Sequence, residues 1–94
     1  MFSNAGIGGF GGSIIEQDME QLKQLTLINL HGKVHGVKHA PRAILRQHIT
    51  GSIVCTTSSA ALMGGLASRA YSLSKAAVIG LVRTPACELG EHGI

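Results

Sequence analysis

The stretch GSIVCTTSSAALMGGLASRAYSLSK, Gly51 to Lys75, carries the information that decides the fold. Ile53, Val54, Cys55 and Thr56 form a short apolar, β-branched run after Gly51, which suits a strand buried on both faces of a parallel sheet. Thr57 to Gly65 is too polar and too glycine-rich to continue that strand and reads as a loop at its carboxyl end. From about Ser68 to Leu89 the pattern is helical through YSLSKAAVIGLVRTPACELG, with Gly90 as a natural stop.

Upstream, EQDMEQLKQLTLINLHGKVHGVKHAPRAILRQ, from Glu16 to Gln47, has Met19, Leu22, Leu25, Ile28, Val34, Val37 and Ala40 at three- and four-residue steps, the spacing of a long helix. Ser13 with Glu16 three residues later predicts a capping box at its start. Pro41 and Pro85 fall inside the two helical patterns and are expected to interrupt them. The opening MFSNAG reads as the end of another strand running into a glycine loop. Alternation of long helices with a buried strand predicts an α/β fold: a fragment of a Rossmann-like doubly wound parallel sheet, comprising the end of one strand, a long helix, one buried strand and a second long helix.

With 94 residues the chain holds at most one small domain, and 45% hydrophobic against 14% charged residues is an apolar balance for so short a chain. The net charge of +3 is spread without any block, and one Tyr and two Phe leave little to stack on bases, so nucleic-acid binding is not expected. No apolar run reaches the roughly 20 residues of a membrane span, so no membrane partner is expected. Cys55 and Cys87, with no leader ahead of FSNAG, point to a reducing compartment, the cytoplasm. His31, His35 and His39 lie four apart on one helix face, a spacing that can hold zinc. No Cys, Asp or Glu completes the set, so no metal site is expected.

Two short motifs bear on chemistry. In NAGIGGFGG, Gly6, Gly8 and Gly11 match the spacing of a dinucleotide-binding loop, which has meaning only between a strand and a helix N-terminus. Tyr71 and Lys75, four apart on a helix, place a phenol and an ammonium on one face. A phenol, with a reference pKa of about 10, needs help to act as a base near neutrality. A cation about 5 Å away at an effective dielectric near 20 contributes roughly 3 kcal/mol toward phenolate. Ser58 stands thirteen residues before Tyr71 at the strand end, where open α/β sheets place their ligands.

Taken together, SNAG, INLHG, Ser58 and Tyr71-Ser-Leu-Ser-Lys75 resemble, in order and separation, the motifs of the short-chain dehydrogenase/reductase family. GSIVCTTS and ELGEHGI look most like its plant branch of secoisolariciresinol dehydrogenase-type alcohol dehydrogenases. The resemblance implies an NAD(P)-dependent oxidoreductase that interconverts a secondary alcohol and a ketone. It makes Tyr71 the general acid/base. Lys75 becomes the cation that favours phenolate and a donor to the nicotinamide ribose. Ser58 would hold the substrate oxygen, with Ser59 as its rival, and Asn29 would anchor through its backbone a water that relays protons to Lys75.

The same resemblance places Asn4, Ala5 and Gly6 on the cofactor side, NAD being slightly favoured over NADP, and leaves Gly8 to Gly12 as a surface loop, the dinucleotide spacing being a coincidence. It implies a partial domain over residues 1–94, without the phosphate-binding loop and the substrate lid, and therefore inactive alone. It also implies homo-oligomers formed through the two long helices. The alternative is a non-enzymatic remnant that pairs with a complete relative.

Overall fold

The computed structural model describes residues 1–94 as a slab with principal extents of 49 × 23 × 17 Å. Two short strands, β1 (Phe2–Ser3) and β2 (Val54–Cys55), pair in parallel with Phe2 opposite Val54 and Ser3 opposite Cys55. The ladder is made by the Val54 amide donating to the Met1 carbonyl at 2.9 Å and the Thr56 amide to the Ser3 carbonyl at 3.1 Å. Between the strands run α1 (Met19–Thr26), a π turn (Leu27–His31) and α2 (Gly32–Arg46), and after β2 come a 3-10 turn (Ser59–Ala61) and α3 (Arg69–Gly90). No helix is long and apolar enough to cross a membrane.

The α/β class and the order strand, long helix, strand, loop, long helix are as the sequence predicts. Burial of the strand on both faces is not. Val54 is 53% exposed, because each strand is two residues long and helices cover one side of the pair only. The helix also starts later than the Ser13 capping box implies. Ser13 caps a 3-10 turn (Ile14–Glu16), while Asp18 caps α1, its Oδ1 accepting from the Glu20 and Gln21 amides at 2.8 and 3.1 Å. A carboxylate at that position satisfies two orphan amides and suits the positive end of the helix dipole.

The inward stripe of the long helix differs from the apolar periodicity. Ile28 and Val34 are exposed, and the buried positions are Leu25, Asn29 and Lys33, each four residues from the last, with Pro41 further along α2. Polar residues take the interior here because the neighbouring chain end carries backbone groups that an apolar side chain cannot satisfy. The apolar core is accordingly small, consisting of Leu25, Ala60, Ala70 and Val78. Its radius of gyration, 14.9 Å, exceeds the about 12 Å expected of a compact chain of this length.

Neither proline interrupts its helix. α2 runs through Pro41 and α3 through Pro85, each losing one backbone hydrogen bond while packing holds the helix together. Pro41 is buried, and both prolines line a groove of about 390 Å³ between α2 and α3 with Val37, Leu45, Leu81 and Leu89. Pro85 is only half-buried, so Pro85→Ala restores a helix bond at little packing cost. The expected outcome is a gain of about 1–2 kcal/mol, or roughly 5–10 °C in Tm, read by calorimetry. A lower Tm would show that the ring's packing outweighs the missing bond.

Candidate functional site

α3 begins at Ser68, whose Oγ accepts from the Tyr71 amide at 3.3 Å, so the helix start aims Tyr71 back toward the end of β1. One turn on, Lys75 is almost wholly buried, and its Nζ lies over the Tyr71 ring, 5.4 Å from the centroid. The Thr57 hydroxyl donates to the Lys75 carbonyl at 2.6 Å, fastening the chain beyond β2 to the same turn. Tyr71 and Lys75 thus share one wall of a cleft of about 550 Å³, whose other walls include Asn4, Gly6, Thr56 and Thr57.

The facing wall is held by Asn29, the buried residue of the π turn. Its Oδ1 accepts from the Ile7 amide at 2.8 Å, and its Nδ2 donates to the Ile7 carbonyl at 2.9 Å and the Ser74 hydroxyl at 3.2 Å. Ser74 donates onward to the Tyr71 carbonyl at 2.8 Å. One amide side chain therefore ties the segment after β1 to the helix that bears Tyr71. Gly6 runs close beneath it: a Cβ there would lie 3.2 Å from both Asn29 Oδ1 and Lys75 Nζ. Asn4 faces β2, its Oδ1 accepting from the Thr56 hydroxyl at 2.8 Å.

Of the residues singled out from sequence, Asn4, Gly6, Tyr71 and Lys75 line the cleft, and Asn29 stands directly behind it. Ala5 contributes its carbonyl, which accepts from Lys33. Ser58 is not on the lining. It caps the 3-10 turn, with Oγ accepting from the Ala60 amide at 3.2 Å, which leaves its hydroxyl hydrogen free to donate elsewhere. Ser59 is exposed. The histidines do not converge: the His35 and His39 rings lie parallel with centroids 6.2 Å apart on the exposed side of α2.

Gly8 and Gly9 lie in an irregular loop, Gly8 exposed, and that loop also forms part of the cleft lining. Gly9 has no room for a side chain, since a Cβ would run into Ser68 Oγ and come within 3.1 Å of Leu25 Cδ1. The same segment leads to a 3-10 turn and not to a long helix, so the Gly6, Gly8, Gly11 spacing makes no dinucleotide-binding turn.

A model of the family described as enoyl-(acyl carrier protein) reductase matches residues 1–94. The Arabidopsis thaliana protein named short-chain dehydrogenase reductase ATA1 is 51% identical over 94 residues, covering 100% of this chain and 35% of its own length. The chain belongs to the short-chain dehydrogenase/reductase family. Among solved structures, NAD+-bound xylitol dehydrogenase matches with a TM-score of 0.90 at 32% identity, over 99% of this chain and 35% of that one. ElxO with NADP bound matches with a TM-score of 0.89 at 30% identity, over 99% and 37% respectively. This dehydrogenase/reductase chain spans about a third of the length of the relatives it matches.

Lys33 escaped the reading from sequence. It is 1% exposed, and its Nζ donates to the Ser3 and Ala5 carbonyls at 3.2 and 2.9 Å. The available signal was positional: it lies four residues after Asn29 and so on the same helix face. Burial, and then the charge of Lys75, hold the Lys33 ammonium below the usual lysine pKa, against a smaller opposing pull from Cys55. The unfolded chain then keeps its proton to higher pH than the folded one, so stability is fully present above about pH 10.5 and is lost as pH falls toward the lowered value. Urea unfolding from pH 7 to 10 is expected to show stability rising relative to Lys33→Met, by at most about 1.4 kcal/mol per pH unit. Parallel profiles for the two proteins would contradict the assignment.

Proposed function

We propose that these residues form the catalytic part of an NAD(P)-dependent oxidoreductase that interconverts a secondary alcohol and a ketone. The observation that carries the reading is the buried Lys75 ammonium over the Tyr71 ring, in a cleft whose opposite wall is Asn4 and Gly6. Tyr71 passes the proton between its phenol and the substrate oxygen, with Lys75 stabilising the phenolate. Lys75 donates to the nicotinamide ribose and the Asn4–Gly6 wall lines the adenine-ribose side of the cofactor, which when bound supplies or accepts the hydride. Ser58 donates its free hydroxyl hydrogen to the substrate oxygen, where negative charge develops. The π turn at Asn29 supports a proton relay to Lys75, π turns being frequent at functional sites. An adjoining depression lined by Ala61, Leu62, Met63 and Leu73 gives the substrate an apolar seat.

Supporting this reading are two nicotinamide-bound neighbours, one holding NAD+ and one NADP, which leave both cofactors open; we favour NAD. The 94 residues alone are expected to bind neither dinucleotide measurably, because the amides that cradle a pyrophosphate at a helix N-terminus are not among them. The test grafts residues 1–94 in place of the matching third of the Arabidopsis relative and follows nicotinamide absorbance with secondary alcohols and ketones. Hydride transfer by the graft is expected. A folded graft that binds cofactor but transfers no hydride would overturn the reading.

The groove between α2 and α3 favours a second reading, in which the chain acts by pairing. Its occupant is the same helix pair of a second copy or of a complete relative. Light scattering of the chain alone and mixed with the relative distinguishes these, and a monomer in both samples would remove the pairing reading.

A further inference from the structure

We propose that Lys33 is a positioning residue: its ammonium, buried between the Ser3 and Ala5 carbonyls, holds the Asn4–Ile7 segment as the wall that faces the nicotinamide dinucleotide. The inference rests on the oxidoreductase reading for the role of that wall, and on the structure for the way the wall is held. A lysine present for packing alone lays its stem on the apolar surface and turns its head to water. Lys33 does the reverse. Its head points inward and donates to two carbonyls on either side of Asn4, at 3.2 and 2.9 Å.

No carboxylate balances this charge. The only ion pair in the chain is the exposed Lys23–Glu20 contact, and the charged or titratable groups facing Lys33 are Lys75 and Cys55. Carbonyl dipoles are therefore what compensates the ammonium, so the Ser3–Ala5 backbone and Lys33 hold each other in place. The second fastener, Asn29 on Ile7, grips the far end of the same segment. Between them Gly6 leaves little room for a side chain, a Cβ there lying 3.2 Å from Lys75 Nζ, so the distance from this wall to the Tyr71–Lys75 pair depends on both fasteners. Leu25 on the same helix face packs by shape, whereas Lys33 acts through two directed bonds.

Two measurements test this. In the grafted enzyme, Lys33→Met is expected to raise KM for NAD+ or NADP+ at least tenfold while kcat changes less than threefold, and Lys33→Gln, which keeps one donor group, to fall between. A residue needed only for folding would lower the active fraction and leave KM alone, and that result would overturn the proposal. On the full 94-residue chain, the Ile7 amide of Lys33→Met is expected to exchange with solvent at least tenfold faster than in the parent, with Val78 unchanged. Equal exchange at Ile7 would also overturn it. Should Lys33→Met not fold, the nitrogen-15 signal of the unsubstituted chain decides: a Lys33 Nζ exchanging as fast as that of exposed Lys23 rules the hold out. A graft without hydride transfer defeats the oxidoreductase reading, while the exchange data still report on Lys33.

Discussion

Tyr71→Phe in the grafted enzyme is expected to lower kcat by about 10²–10⁴-fold, the range that a positioned acid or base contributes, with little change in cofactor affinity. The substitution removes one oxygen and keeps the ring. The contact between Lys75 Nζ and the aromatic face, at 5.4 Å, therefore survives, and so do the Ser68 and Ser74 bonds to the Tyr71 backbone. Because the structure around the ring is unchanged, the loss reports on the hydroxyl alone. Steady-state kinetics at saturating cofactor, with dinucleotide affinity measured separately by fluorescence, separates the two quantities. A variant that stays within about fivefold of its parent would mean that another group moves the proton, since even the weakest acid–base contribution is about 10²-fold.

The second large effect is on stability. Asn29→Ala removes a side chain that is 0% exposed and makes three hydrogen bonds, leaving the Ile7 amide, the Ile7 carbonyl and the Ser74 hydroxyl short of a partner. Each such group costs about 1–3 kcal/mol when water cannot reach it, and Ile7 is only partly covered, so about 2–4 kcal/mol in total is expected. For a domain of this size that corresponds to roughly 10–25 °C in Tm, a large share of a total near 5–15 kcal/mol. Asn29→Asp keeps the acceptor for the Ile7 amide and loses both donations, and should fall between. A Tm within a few degrees of the parent for Asn29→Ala would show that water replaces the amide and that the segment after β1 is held from elsewhere.

Comparing residues with their places shows where local pattern was sufficient. Tyr71 and Lys75 needed only helical spacing, because residues four apart on a helix meet whatever surrounds them. Strand β2, the loop after it and α3 were legible for the same reason: β-branched runs, glycines and helical periodicity act over a few residues. The start of α1 was not legible: Ser13 with Glu16 marks it in the sequence, and the structure places the cap at Asp18, which accepts from the Glu20 and Gln21 amides. Ser58 was found by its separation from Tyr71, yet its hydroxyl turned to the Ala60 amide, a choice made by the turn geometry.

The sequence by itself determined the α/β order, the Tyr71–Lys75 pairing and the family motifs, all of which rest on interactions between near neighbours in the chain. Tertiary structure alone decided which helix face turns inward. Apolar periodicity places Ile28 and Val34 inside, and the fold exposes them in favour of Asn29 and Lys33. The reason lies at the other end of the chain, where the carbonyls of Ser3, Ala5 and Ile7 and the Ile7 amide need partners that only polar side chains can supply. A buried polar group is costly until its partner is in place, and those partners are 22 to 30 residues away, a pairing that exists only once the chain from Ser3 to Ile7 has packed against the helix.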